Sequence, residues 1–105
     1  MDADAVVAAM RAHPHDEETQ GWAFEALIDM TRGNAGSQIR AGNAGAVEAV
    51  VAAMHALAHH GGMVHDACLA LGAMTDGNAQ NRTRAGASGA VEAVVAGRGL
   101  HSFPF

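Results

Sequence analysis

The 105-residue chain is half apolar, poor in aromatics and weakly acidic at −5, a balance that argues against nucleic acid as a partner. Its single cysteine, Cys68, excludes an internal disulfide, and no window approaches the roughly 20 apolar residues of a membrane span or has the basic and apolar regions of a signal peptide. A cytoplasmic location is the expectation, with the nucleus as the alternative.

In chain order, the first helix is predicted from Ala3 to about His13, with Val6, Val7 and Met10 at helical spacing, and Pro14 ends it. Asp16 is the expected N-cap of the second helix, and Glu17 and Glu18 fall in its first turn, where the helix dipole favours negative charge. Ala23, Ala26, Leu27 and Met30 draw an apolar stripe along it, and Gly33 closes it. Asn34 caps a short segment reaching about Ala41, and Gly42 to Gly45 read as a corner. A long helix carrying Val47, Val50, Val51, Met54 and Leu57 is expected to continue into Ala58 and His59, where Gly61 and Gly62 break it.

From Met63 to Thr75 the pattern of the second helix returns as Ala67, Ala70, Leu71 and Met74. It lacks the acidic start of its counterpart, so a looser first turn is predicted. Asn78 to Ala85 forms a second short segment, Ser88 to Ala96 starts another long helix, and Gly97 and Gly99 stop it. Residues 97–105 read as an irregular tail, either coil or folded back through Phe103 and Phe105 onto an apolar face.

Much of this order comes from one stretch that occurs three times. GAVEAVVAAM, from Gly45 to Met54, is matched 44 positions earlier by Ala5 to Met10 and 44 positions later by Gly89 to Ala96. The triplet GNA recurs at Gly33 and Gly77, RAG at Arg40 and Arg84, and Ala26, Leu27, Met30 and Thr31 return as Ala70, Leu71, Met74 and Thr75. Self-similarity at a fixed period marks an architecture in which each unit buries its apolar face against its neighbours. The chain divides into a partial unit over 3–33, a complete unit over 34–77 and a partial unit over 78–96, roughly two and a quarter units. Cys68 takes the repeat position of Phe24, as expected of a small core residue. Glu48 and Glu92 recur at the start of a helix, which suits a structural contact or dipole complement.

The units, each a short helix and two long ones joined by glycines, resemble the armadillo repeat, on the strength of GNAGSQIRAGNAGAVEAVVAAM and GNAQNRTRAGASGAVEAVVA. The resemblance extends nearly to Ala96. It implies an all-α, right-handed α-solenoid whose third helices line a concave groove for extended peptides or protein segments, and hence a non-catalytic interaction scaffold with no cofactor. The nuclear-import adaptors of that family carry a ladder of Trp and Asn on the third helix. The matching positions here hold Glu25 and Asp29 in one unit and Leu69 and Ala73 in the next, so that ladder is absent.

The residue pattern instead predicts a shallow groove, acidic where Gly21, Glu25 and Asp29 lie one turn apart and more apolar where His65, Leu69 and Ala73 follow one repeat later. Its expected occupant is a basic, extended protein segment; a charged solvent-facing side without a ligand is the competing reading. Trp22, the only tryptophan, is expected either at the groove edge as an anchor or packed on a neighbouring helix.

Seven histidines raise a metal-binding alternative. His55 and His59 are four apart, and His60 and His65 follow, as a non-catalytic accessory segment of a larger protein would use them; a solvated helix end is the other reading. No phosphate-binding loop and no nucleophile set with spacing logic is present. Val50, Val51, Met54, Leu71 and Met74 are predicted to be the best buried. Because the third copy has no third helix after it and the first copy no short helix before it, the expectation is a piece of a longer array, self-association through the C-terminal face, or cover from Phe103 and Phe105.

Overall fold

A computed structural model describes residues 2–98, and side-chain environments over 2–94. The described residues form seven helices: α1 (Ala3–Ala12), α2 (Glu17–Thr31), α3 (Ala35–Ala44), α4 (Ala46–Ala56), α5 (Gly61–Thr75), α6 (Ala79–Ala87) and α7 (Ala90–Arg98). Helices one period apart lie against each other: α4 packs on α1 and α7 on α4, α5 packs on α2, and α6 packs on α3. Residues repeated in sequence are therefore repeated in space.

Local chemistry explains most of the boundaries. The Asn34 side-chain oxygen accepts the Ser37 N–H at 3.0 Å, and that of Asn78 accepts the Asn81 N–H at 2.8 Å, so each short helix starts on an asparagine cap. Gly33 and Gly45 take left-handed φ values of 66° and 88°, which a side chain would strain. Four boundaries differ from expectation. The corner shrinks to Gly45, because α3 runs through Gly42 to Ala44. At the next junction α4 stops at Ala56, and α5 takes in Gly61 and Gly62 as its first turn. α7 continues through Gly97 to Arg98, and the remainder of the expected tail, with Phe103 and Phe105, lies outside the described residues.

The core is one cluster drawn mainly from α1, α2, α4 and α5, with Ala41 of α3 and Ala93 of α7 joining it; Val6, Phe24, Leu27, Val50, Met54 and Met74 are closed to solvent, and Leu71, at 9%, is the least buried of the five residues expected innermost. The buried stripe of α2 is Gln20, Ala23, Phe24, Leu27 and Thr31, whereas Ala26 and Met30 of the expected stripe are half-buried. Two polar residues enter this stripe by donating to backbone carbonyls, while the buried Gln20 Oε1 accepts no hydrogen bond from a described residue. Gln20 Nε2 donates to the carbonyls of Met10 and His13 at 3.0 and 2.8 Å, and Thr31 Oγ1 donates to that of Leu27 at 2.6 Å. The first pair binds the Met10 carbonyl in the last turn of α1 and the His13 carbonyl, which also accepts the Asp16 N–H, and so anchors α2 to α1. Cys68, in the place of Phe24, is half-buried against the core.

Candidate functional site

The two longest helices, α2 and α5, are register partners that pack against each other, and the residues expected to form a groove all lie on this pair. Gly21 is half-buried there, 3.9 Å from Met63 Cε measured from where a Cβ would stand, so α5 closes over it. Glu25, Asp29 and His65 are exposed. Trp22 is 40% and Leu69 44% exposed, large apolar surfaces for a soluble helix face. Ala73 departs from the expectation: it is buried, and its carbonyl accepts Gln38 Nε2 at 2.9 Å. Six of the seven predicted groove residues thus keep some accessible surface, and Ala73 belongs to the inner packing.

Beyond Leu69 the surface dips into an open depression of about 530 Å³ between the C-terminal ends of α2 and α5, lined by Cys68, Leu69 and Gly72 and edged by Arg32 and Arg82. Its floor is held by a polar relay that hydrophobic periodicity does not register. Gln38 Nε2, on α3, donates to the carbonyls of Ala73 and Asp76 at 2.9 Å each, occupying acceptors at the end of α5. Asn81, fully buried on α6, donates in turn through Nδ2 to the carbonyls of Gln38 and Met74 at 2.9 Å each. Arg84 then bonds Asn81 Oδ1 and, across the junction, Asn43 Oδ1, both at 3.1 Å. These contacts couple α3, α5 and α6, so that the exposed face of α5 is carried on a satisfied polar frame. Of these residues only Arg84 recurs at the period, as the counterpart of Arg40 in the RAG triplet.

The histidines go elsewhere. α4 ends before His59, so His55 and His59 do not share a helix face. His60 caps α5: its Nδ1 accepts the Met63 N–H at 3.3 Å, and its Nε2 lies 3.5 Å from Glu17 Oε2, linking the starts of the two seam helices. The first turn of α5, expected to be looser for want of acidic residues, thus has a side-chain cap from His60. Asp16, expected to cap α2, stands at the N-cap position, but its side chain bonds no backbone N–H there and accepts the Thr19 hydroxyl at 2.6 Å instead. Among the described residues no group of three or more His, Cys, Asp or Glu side chains is gathered as a metal site would require, so the four-histidine cluster is not assembled. No described helix is long and apolar enough to cross a membrane.

Compared with known proteins, the chain matches no family model, no curated relative and no solved structure.

Proposed function

We propose that the chain folds as an armadillo-type α-solenoid and serves as a non-catalytic interaction scaffold, holding an extended, basic peptide or protein segment along the face shared by α2 and α5. The observation that carries this reading is the pairing of those helices one period apart, with Trp22, Glu25 and Asp29 exposed on α2 and Leu69 exposed on α5. Stacking of equivalent helices is how an α-solenoid builds a continuous surface from short units. An exposed aromatic and an exposed leucine supply contact area, while the neighbouring carboxylates select positive charge. The depression past Leu69 gives an apolar side chain of the bound segment a place to sit.

Binding of a labelled basic peptide, followed by anisotropy, tests the reading. Exposed charge pairs are screened beyond about 10 Å at 0.1 M salt, so affinity is expected to fall steadily as salt rises. Joint charge reversal, Glu25→Lys with Asp29→Lys, is expected to weaken binding further. Salt-insensitive binding, or binding indifferent to both substitutions, would move the interaction surface away from this face.

A further inference from the structure

The outer side of α2 carries more than the two expected carboxylates. Glu18, Trp22, Glu25 and Asp29 follow one another at intervals of four, three and four residues, the spacing that keeps side chains on one line along a helix. All four are exposed. Among the described residues none makes a hydrogen bond or ion pair with the indole N–H or with these three carboxylates. The indole therefore lies between two acidic side chains, Glu18 one turn before it and Glu25 one turn after. One period later the register partner of Trp22 is Asp66, also exposed, on the adjoining helix α5.

This arrangement differs from an ordinary charged helix face, whose carboxylates are usually interleaved with Lys or Arg at i±4 and so neutralised in place. Along the line from Glu18 to Asp29 there is no basic residue. A flat aromatic surface of 40% exposure flanked by acids matches one chemical group in particular. The guanidinium is planar, stacks on an aromatic face, is weakly hydrated and presents a fork of N–H donors to carboxylates on either side. An ammonium has the charge but neither the plane nor the fork.

We infer that Trp22, with Glu18 and Glu25, forms an arginine-selective seat, and that the partner is an extended segment that docks an arginine guanidinium on the indole. The inference rests on the interaction-scaffold reading and narrows it: Trp22 becomes the residue that distinguishes arginine from lysine, and Glu18 joins the site. In an extended segment, alternate side chains point the same way at about 6.6–6.8 Å intervals, so an arginine at every second position always offers one to the seat.

The test uses two synthetic octapeptides, one alternating arginine and serine and the other alternating lysine and serine, each carrying a fluorophore for anisotropy. Trp22 is the only tryptophan and the chain has no tyrosine, so its emission reports the seat directly when unlabelled peptide is used. The arginine peptide is expected to change Trp22 emission saturably and to bind roughly two- to fivefold more tightly than the lysine peptide, the margin expected of a stacking, forked guanidinium over an ammonium that offers charge alone. Trp22→Ala is expected to abolish that preference, and Glu18→Gln with Glu25→Gln to weaken both peptides. If Trp22→Ala disturbs folding by circular dichroism, the emission change and the arginine-to-lysine ratio of the unaltered chain decide instead. Binding by anisotropy with no emission change and equal affinities would overturn the arginine seat and leave the scaffold reading standing. Absence of binding by either peptide would overturn both.

Discussion

Gly42 and Gly86 hold the same place in the repeat, as do Val47 and Val91, yet the members of each pair meet different surroundings. At the junction between the second and third copies Gly42 is buried, and a Cβ there would collide with Asn81 Oδ1 and Arg84 Nη1; Gly86 is exposed, with nothing within 4 Å of the same position. Val47 is fully closed to solvent and Val91 is 63% exposed. Ala41 and Ala46 are likewise sealed, while Ala85 and Ala90 are half-buried. Composition does not separate these pairs, since the residues are identical. The difference is that α3 and α4 are covered by α6 and α7, and no described element covers α6 and α7 in the same way. Burial in a repeat belongs to the junction, not to the residue.

The strongest way to break that comparison is to place a charge at both ends of the valine pair. Val47→Asp puts an unpaired carboxylate into a dry junction and is expected to cost more than about 4 kcal/mol, enough to unfold a marginal domain. Val91→Asp, in the exposed first turn of α7, is expected to stay within about 0.5 kcal/mol. Equal losses in urea melts would show that both valines face the same environment. Next comes the leucine pair. Leu27→Ala is expected toward the upper end, and Leu71→Ala toward the lower end, of the about 2–5 kcal/mol range for leucine truncation, because Leu27 is fully buried and Leu71 is 9% exposed. A loss below about 0.5 kcal/mol at Leu71 would show that α5 does not turn this face to the core.

The glycine pair sharpens the contrast, since the two substitutions are expected to have opposite signs. Gly42→Ala must push back Asn81 and Arg84 and disturb the polar relay, at a cost of about 1–3 kcal/mol. Gly86→Ala meets open space inside a helix and is expected to gain up to about 1 kcal/mol. Matching signs in thermal melts would contradict the close approach at Gly42. The smallest effect compares the two seam helices. His60→Ala removes the side-chain cap of α5 and is expected to cost about 1 kcal/mol, whereas Asp16→Ala, which removes no backbone cap, should cost less than half as much. A larger loss at Asp16 would return the capping role to the residue that type alone suggests.

The period of 44 made the order of the helices and the identity of the seam legible, because equivalent residues have equivalent neighbours. Helix ends were less so where glycine was read as a breaker. Gly42 lies inside α3 because Asn81 and Arg84 leave no room for a side chain, a long-range demand that local propensity cannot express. Gly61 and Gly62 are helical because His60 supplies the cap, a role more often given to Asp, Asn, Ser or Thr. The stripe of α2 was drawn through Ala26 and Met30 because only apolar residues were counted. Gln20 and Thr31 are buried in it through hydrogen bonds to carbonyls, which leave no hydrophobic trace. At the candidate site, the exposure of Glu25 and Asp29 followed from their spacing, whereas for Trp22 the sequence left a groove edge and helix packing equally open. The burial of Ala73 did not, because it depends on Gln38 reaching over from α3.

Native-state hydrogen exchange on the unmodified chain tests the central claim most directly, since α4 and α7 hold copies of one stretch and differ chiefly in what covers them. Amides from Ala49 to Ala52 of α4 should exchange only through opening of the whole domain, while those of residues 93–96, the same four residue types in α7, should exchange at least roughly tenfold faster through local opening. Equal protection of the two copies would contradict the account, because it would mean that the shared sequence, and not the neighbouring unit, sets the stability of each helix.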